Sequence, residues 1–232
     1  MPSGTEPAIE VAQLSRRYAD RWALAGVNLR LSAGRSLLVA GHNGAGKTTL
    51  LRLLATSLRP TEGQIRIGGH DAVADPLQAR RAVAMLGQYN GLYHQLTAME
   101  NLRIAERLLG LPPDPDRLPR LLERVGLTGR EHEVVRGFSA GMRKRVAVAR
   151  LLLKDAPVVL LDEPYGQLDP EGFAAVDGWV VDLLARGRAV IMVTHLVERA
   201  AALLHAGMVL QGGRMQWVGP ASEVPAHIED GS

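Results

Sequence analysis

Residues 36–51 read SLLVAGHNGAGKTTLL, and this stretch decides the fold. Its first five residues form a continuous apolar run, which is typical of a strand buried on both faces. From Lys47 onward, leucines recur at the spacing of a helix. Between the two, residues 41–48 fit G-x-x-x-x-G-K-[ST] at every defined position. A strand, a glycine-rich loop and a helix in this order predict a phosphate-binding loop.

The residue types in this loop suit a nucleotide. Glycines let the backbone curl so that its N–H groups converge on phosphate oxygens at the positive end of the following helix. Lys47 adds a charge for the β- and γ-phosphates, and the Thr48 hydroxyl is a ligand for Mg²⁺. We therefore predict that the nucleotide binds at Gly41, His42, Asn43, Gly44, Ala45, Gly46, Lys47, Thr48 and Thr49.

A second motif, VVLLDEP at residues 158–164, places two carboxylates at the end of an apolar run. Ligands of open α/β sheets sit at the carboxyl ends of the strands. Successive strand residues point in opposite directions, so we assign Asp162 to Mg²⁺ and Glu163 to a water. Alone, the pattern also suits a solvated strand end. Downstream of a phosphate loop, it indicates a hydrolytic site.

Apolar periodicity and turn signals outline the rest of the chain. Strands are predicted at residues 8–12, 23–31, 36–40, within 61–69, and at 83–88, 158–161 and 188–193, with a hairpin around Gly212 and Gly213. Helices are predicted from the capping box at residues 97–100 to Gly110, over 117–125, after Ser139 and over 171–185. This alternation predicts an α/β fold with a mostly parallel sheet and a helical insert at 89–150.

The segment SAGMRKR, residues 139–145, opens one of these helices. Ser139 is a plausible N-cap, and Gly141 keeps the backbone approachable. Three cations at a helix N-terminus oppose the macrodipole, so helix stability does not explain them. A bound anion explains them, whereas the alternative is a capped helix with a solvated basic face.

Three further residues near predicted strand ends are candidates for the same site. His195 follows the strand at 188–193 and reaches a γ-phosphate if that strand lies beside the Asp162 strand, although a surface histidine has the same pattern. Gln88 either ligates Mg²⁺ or caps a strand. Tyr18 either stacks its ring on a base or lies half-buried near a strand end.

Composition excludes several classes of protein. The 232 residues are 47% hydrophobic and 22% charged, which is ordinary for a globular protein, and no apolar run approaches the ~20 residues of a membrane span. The absence of cysteine excludes disulfides, thiolate catalysis and iron–sulfur ligation. A net charge of +3 without a basic block gives nucleic-acid binding little support. With no secretory signal pattern in the first residues, we expect a cytoplasmic protein.

These motifs occur in the order and spacing of an ABC-transporter ATPase subunit, which the chain resembles from Ile9 to about Val218. The resemblance implies a P-loop ABC cassette: a RecA-like, mostly parallel sheet with an antiparallel β subdomain and a helical insert. It implies a Mg²⁺-dependent ATPase that binds ATP. In it, Tyr18 stacks on adenine, Gln88 senses Mg²⁺ and the membrane partner, and Glu163 polarises the attacking water, with Lys47 and His195 also catalytic.

The resemblance also implies partners. A second ATPase subunit completes a head-to-tail homodimer, in which Ser139 and Gly141 of one subunit face the phosphate loop of the other and Asp169 crosses the interface. Integral-membrane permease subunits hold the dimer at the cytoplasmic face of the membrane. They dock on residues 89–96, where Tyr89, Leu92 and Tyr93 are expected to be exposed, core packing of one or two of them being the alternative.

The signature motif departs from the family's usual LSGGQ. In the segment FSAGM, Ala140 still permits close approach, whereas Met142 lacks the amide of glutamine. Glu163 and His195 are both present, so an active site is expected.

Within the family, residues 50–63, 96–102, 137–153 and 160–172 are most similar to the ATP-binding subunit of the haem exporter of cytochrome c maturation. This similarity implies haem export. The SAGM signature also occurs in ATPases of drug- and lipid-type exporters, which are the alternative. A soluble ABC ATPase acting on nucleic acid or ribosomes is a remote alternative, because this chain has one cassette and no heptad run.

The resemblance predicts one ABC ATPase domain over residues 1–232. Residues 8–88 and 151–220 form its catalytic core with the β subdomain, residues 89–150 form the helical signature subdomain, and residues 1–7 and 225–232 are mobile tails.

Overall fold

The computed structural model describes residues 7–229, which divide into two compact units. The described part contains ten strands: β1 (Ile9–Tyr18), β2 (Arg21–Leu31), β3 (Ser36–Ala40), β4 (Glu62–Ile67), β5 (His70–Asp71), β6 (Val83–Leu86), β7 (Val158–Asp162), β8 (Ala189–Val193), β9 (Ala206–Gln211) and β10 (Arg214–Pro220). Its eight α-helices are α1 (Lys47–Leu54), α2 (Pro76–Arg81), α3 (Ala98–Leu108), α4 (Arg117–Arg124), α5 (Ala140–Lys154), α6 (Pro170–Ala185), α7 (Val197–Leu203) and α8 (Val224–Glu229).

The first unit takes in residues 7–85, 156–164 and 177–229 and carries a six-stranded sheet of order β10-β9-β3-β8-β7-β6. Strands β9, β3, β8 and β7 are parallel, and β10 is antiparallel to β9. Every residue of β3, β7 and β8 is buried, as their continuous apolar sequences predict. Because the strands are parallel, the loops that follow β3, β7 and β8 leave the sheet at one edge.

A second, four-stranded sheet of order β2-β1-β4-β5 is antiparallel throughout. One hydrophobic core joins both sheets of the first unit to α1, whose four leucines, Leu50, Leu51, Leu53 and Leu54, are all buried. Packing between the two sheets therefore fixes the position of α1.

The second unit takes in residues 86–155 and 165–176. Helices α3, α4 and α5 pack against one another in it. The predicted capping box is present at the start of α3: Glu100 N donates to Thr97 Oγ1 at 3.1 Å, and Thr97 N donates to the Glu100 carboxylate at 2.8 Å. Helix α4 begins at Arg117, so Pro119 falls in its first turn, where the missing N–H of proline costs little.

The α/β fold with a mostly parallel sheet and an antiparallel β subdomain is confirmed, and the structure differs from the local predictions at several points. Strand β1 continues to Tyr18, because a bulge at Gln13, with φ +48°, lets pairing with β2 resume. Residues 165–176, assigned to the core, belong to the second unit. Helices α2 and α7 were missed because they are short.

The tail expected to be mobile from residue 225 instead begins as helix α8. The ring of His227 stacks on that of Trp217, with centroids 4.3 Å apart, which holds the helix against β10. The rest of the predicted tails, residues 1–6 and 230–232, lies outside the described residues.

Candidate nucleotide-binding site

The loop between β3 and α1 requires glycine at two positions. Gly41 has φ +137° and Gly46 has φ +107°, a region that residues with a side chain rarely adopt. A Cβ on Gly41 would lie 2.1 Å from Leu210 O, and one on Gly46 would lie 2.5 Å from Ala23 O. The loop therefore lies too close to neighbouring backbone for any other residue.

Two segments of the first unit support this loop. Gly213, in the β9–β10 turn, donates its N–H to Ala45 O at 3.1 Å, and its carbonyl accepts from Ala25 N at 2.8 Å. A Cβ on Gly213 would lie 2.8 Å from Ala23 O. The sequence analysis identified Gly213 only as a hairpin residue, and its contact with the phosphate loop is visible only in the folded chain.

Helix α1 begins without a side-chain cap, because its N-cap is Gly46. The N–H groups of the first helical turn have no intrahelical partners, and they carry the positive end of the helix dipole. An anion is the natural partner for such a terminus. The glycine loop and the uncapped helix thus fit the phosphates of a nucleotide.

Lys47 folds back over the loop, where its Nζ donates to the carbonyls of Gly41 and His42, the latter at 3.0 Å. Burial lowers the pKa of Lys47, whereas the nearby carboxylates of Glu163 and Asp162 raise it. A partly desolvated ammonium close to two carboxylates interacts strongly with any further charge. The Lys47 ammonium therefore lies over the phosphate loop, in surroundings that strengthen its attraction for a phosphate.

The end of β7 supplies the candidate Mg²⁺ ligand. Asp162 is buried, and its strand contacts α1, which bears Thr48. Within residues 7–229, no group of three or more histidine, aspartate or glutamate side chains is arranged to hold a metal by itself. Mg²⁺ in nucleotide sites takes one or two carboxylates or hydroxyls together with phosphate and water oxygens, so an Asp162–Thr48 donor set fits it.

Glu163 and His195 lie together at the carboxyl ends of β7 and β8. Glu163 N donates to Val193 O at 2.8 Å, its Oε2 accepts from His195 N at 3.2 Å, and its Oε1 lies 3.4 Å from His195 Nε2. Glu163 has φ +52°, a strained conformation typical of functional sites. Its side chain is 20% exposed and that of His195 71%, so both are accessible from solvent.

Tyr18, the predicted adenine-stacking residue, lies at the end of β1 with its ring exposed. Arg16, which the sequence analysis did not consider, places its guanidinium 4.8 Å from the centre of that ring. Arg16 Nη1 in turn donates to Arg59 O at 3.0 Å. The ring of Tyr18 is thus held by a cation–π contact on one side.

In the second unit, Ser139 caps α5, as predicted: its Oγ accepts from Met142 N at 3.1 Å. Two of the three cations that follow donate to backbone carbonyls of this unit, and the bound anion that would explain the cluster stays a prediction. Arg143 donates to Phe138 O, Arg145 Nη1 donates to Val125 O at 3.0 Å, and Lys144 is buried and interacts with other groups.

A cleft of about 760 Å³ opens beside this helix end, within the second unit. Ser139, Gly141 and Arg145 line it from α5 and its N-cap, and Asp169 lines it from the start of α6. The Asp169 carboxylate accepts from Gly172 N at 2.8 Å and so caps α6. Both helix starts in the cleft are therefore capped by their own side chains.

Two other predictions fall in the second unit. Gln88 is exposed two residues beyond β6, and its role as a Mg²⁺ ligand stays a prediction. Of the three residues expected to face a permease, Tyr89 is 90% exposed and Tyr93 54%, whereas Leu92 is buried at 8%. For Leu92 the alternative of core packing is therefore the correct one, because its side chain packs into the unit.

Comparison with known proteins agrees with this geometry. Residues 24–166, more than half of the chain, match the protein family described as ABC transporter. The daunorubicin resistance ATP-binding protein DrrA3 of Streptomyces coeruleorubidus is 39% identical over 223 residues, covering 95% of this chain and 71% of the relative. The cytochrome c biogenesis ATP-binding export protein CcmA of Methylococcus capsulatus is 42% identical over 176 residues, covering 76% and 85%.

A solved structure has the same fold: the ATP-binding cassette MJ0796, a dimer in a post-hydrolysis state bound to ADP and phosphate. It matches with a TM-score of 0.84 and 23% identity, covering 92% of this chain and 98% of that one.

The chain therefore belongs to the ABC transporter family. Within that family it is an ATP-binding subunit and a Mg²⁺-dependent ATPase, with ATP and Mg²⁺ as its cofactors. Among residues 7–229, no helix is both long and apolar enough to cross a bilayer.

Proposed function

We propose that this chain is the motor of an exporter, in which ATP hydrolysis at the β3–β7–β8 edge drives permease subunits in the membrane. The observation that carries the proposal is the Glu163–His195 pair, which lies at the ends of the adjacent strands β7 and β8. Glu163 is also close enough to Lys47 for its negative charge to raise the Lys47 pKa. Both relatives are named for resistance or export, which supports transport out of the cell.

In the proposed reaction, a water oxygen forms a bond to the γ-phosphorus of ATP while the bond from that phosphorus to the bridging oxygen breaks, releasing ADP. Glu163 accepts a hydrogen bond from this water and orients it. The backbone N–H of His195 holds the Glu163 carboxylate in place, and Lys47 binds the phosphates. When bound at Thr48 and Asp162, Mg²⁺ neutralises charge on the phosphate oxygens.

We further propose that two copies pair head to tail, so that the cleft beside Ser139 of one faces the phosphate loop of the other. The fold shared with a cassette solved as a dimer supports this pairing. So does the cleft itself, because Arg145 and the N-terminus of α5 present positive charge to it. In this arrangement, nucleotide bound to one copy contacts the other only when the dimer closes.

The proposed permease contact is the docking loop, which we define as residues 89–96. Its Tyr89 and Tyr93 are exposed aromatic side chains, of the kind enriched at protein interfaces. We expect Tyr93→Asp to abolish transport while the ATPase activity of the isolated chain is retained. Leu92→Asp is not an equivalent test, because a charge at a buried position destabilises the unit itself.

The proposed cargo is haem, on the strength of the CcmA similarity. A drug- or lipid-type cargo is the second candidate, because the similarity to DrrA3 covers more of the chain. A mild-detergent purification from native membranes tests both, with mass spectrometry and an absorption spectrum of the eluate. Multi-span proteins with a haem Soret band support haem export, and multi-span proteins without haem support the second candidate. Ribosomal or nucleic-acid partners alone would contradict an exporter.

A further inference from the structure

The docking loop is held by a side chain that neither the family motifs nor the proposed catalytic mechanism accounts for. Arg150, near the end of α5, donates from Nη2 to Asn90 O at 2.7 Å and from Nη1 to Gly91 O. Its guanidinium thus bonds two consecutive carbonyls of a segment about sixty residues earlier in the chain. Both ends of this contact belong to the second unit.

The geometry around Arg150 is restrictive. Gly91 has φ +58°, and a Cβ there would lie 3.0 Å from Arg150 Nη2, so the loop turns closely over the guanidinium. Arg150 is partly desolvated: burial lowers its pKa, while Tyr93 raises it. Burying an arginine is costly unless its donors are used, and here two backbone carbonyls use them.

The far end of the loop is held in a comparable way by α3. Asn101 is buried, accepts from Tyr93 N at 2.8 Å, and donates to Tyr93 O at 3.1 Å and Thr97 O at 2.9 Å. Tyr89 and Tyr93, the exposed aromatic residues, therefore lie on a backbone that is hydrogen-bonded by the partly buried Arg150 on one side and by the buried Asn101 on the other.

We propose that Arg150 is a positioning residue that couples α5 to the permease through the docking loop. Helix α5 begins directly after Ser139, the proposed dimer contact, and carries Arg150 about one turn before its end at Lys154. A rigid helix of fifteen residues moves both ends together, so a displacement of the Ser139 end on dimer closure also displaces the docking loop. Asn101 fixes the loop to α3. This inference rests on the proposed function, because it needs the loop to be the permease contact.

The test compares Arg150→Gln with Arg150→Lys, which keeps the charge but not the two-pronged guanidinium, and with Arg120→Gln on α4 as a control. Arg120 is an exposed arginine of the same unit, and its guanidinium pairs with Asp116 four residues away. Each variant is purified alone and with the membrane subunits that accompany the wild-type chain. The measurements are kcat and KM for ATP, stimulation of the ATPase by the membrane subunits, and amide exchange at 89–96.

For Arg150→Gln we expect the kcat and KM of the isolated chain to stay within about twofold of the wild-type values. The stimulation of its ATPase activity by the membrane subunits should be at least tenfold smaller than in the wild type. Amides of residues 89–96 should exchange at least tenfold faster. Arg150→Lys falls between it and the wild type, and Arg120→Gln behaves as wild type. Should Arg150→Gln fail to fold, Gly91→Ala displaces the same contact from the loop side, and the same phenotype is expected.

Suppose that Tyr93→Asp loses stimulation while Arg150→Gln and Gly91→Ala keep it. The docking loop then contacts the permease but Arg150 does not position it, and the inference is overturned. If Tyr93→Asp also retains stimulation, the docking loop itself is wrong and the inference fails with it. A fall in kcat of the isolated Arg150→Gln chain equal to the loss of stimulation overturns it as well, because the effect is then on the fold.

Discussion

Two helices of this chain are proposed to meet a nucleotide, α1 the one bound to its own copy and α5 the one bound to a second copy, and their N-termini are built in opposite ways. Helix α1 follows Gly46, which has φ +107° and offers no capping group. Helix α5 follows Ser139, which is extended, with φ −62° and ψ 164°, and uses its hydroxyl to satisfy Met142 N–H. The N-terminus of α1 leaves its N–H donors available to an external anion, whereas the N-terminus of α5 satisfies at least one of its N–H donors with the Ser139 hydroxyl.

The two N-termini are therefore expected to bind phosphate in different ways. An uncapped helix end in a glycine cradle binds phosphate within one chain, whereas a capped end that lines an open cleft gains a ligand only when another molecule brings it. Catalysis in one copy and contact from the other therefore respond to different mutations.

The largest effect is expected at Glu163. Glu163→Gln removes the carboxylate that polarises water but leaves the loop at Gly41–Gly46 and Lys47 intact. We expect kcat to fall by about 10²–10⁴-fold, with ATP affinity within a few-fold of wild type. Single-turnover hydrolysis and equilibrium binding of ATP check this. Near-normal kcat would remove Glu163 from the assigned role.

Lys47→Ala is expected to act on binding. It deletes a partly buried ammonium that the structure places over the phosphate loop. Loss of one charge-assisted hydrogen bond costs about 1.5–3 kcal/mol, or about 10–100-fold in the dissociation constant for ATP. Isothermal titration with Mg-ATP measures it, with Lys47→Arg as the charge-conserving control. An unchanged affinity would contradict the proposed contact between the Lys47 ammonium and the phosphates.

Two substitutions at Ser139 distinguish its role as the N-cap of α5 from its proposed contact with a second copy. Ser139→Ala removes the N-cap and should cost about 1 kcal/mol in the free energy of unfolding. Ser139→Asp keeps a capping oxygen but places a negative charge where the partner's phosphate is expected. We predict near-normal stability and reduced turnover for Ser139→Asp, from urea titration and steady-state ATPase assays. Full activity of that variant would count against the trans contact.

The smallest effect is a pH dependence at the start of β3, the strand that carries the phosphate loop. Ser36 N donates to His205 Nδ1 at 3.2 Å, and Ser36 Oγ lies 2.7 Å from the same nitrogen. Burial, followed by the charge of Arg35, lowers the pKa of His205 below its ordinary 6.5. The unfolded chain then binds the proton more readily, so the stability is present above pH 6.5 and is lost as the pH falls below it.

Thermal unfolding of wild type and His205→Gln between pH 7.5 and 5 checks this prediction. The two curves should converge as the pH falls, because only the wild type can gain a proton at residue 205 and so lose the stability that the neutral His205 contributes. Parallel curves would show that His205 does not contribute.

The phosphate loop and the β7 motif could be predicted from sequence because their constraints are local. Glycine at 41 and 46, and a carboxylate after four buried apolar residues, have few alternative explanations. Residues whose role depends on distant partners could not be predicted. Gly213 could be assigned only to a hairpin, and Leu92 either to an exposed contact or to the core. A contact with the distant phosphate loop explains the first, and packing within the unit explains the second.

The central claim is that the N-terminus of α1 in one copy and the N-terminus of α5 in another meet across a bound ATP. The most direct test of it is the mass of the Glu163→Gln chain in solution. Sedimentation equilibrium is run without nucleotide, with Mg-ATP, and with Mg-ATP after adding Ser139→Asp to the same chain. The account predicts 25.0 kDa without nucleotide, twice that mass with Mg-ATP, and a return to the monomer mass in the double variant. A chain that stays monomeric while saturated with Mg-ATP would contradict it.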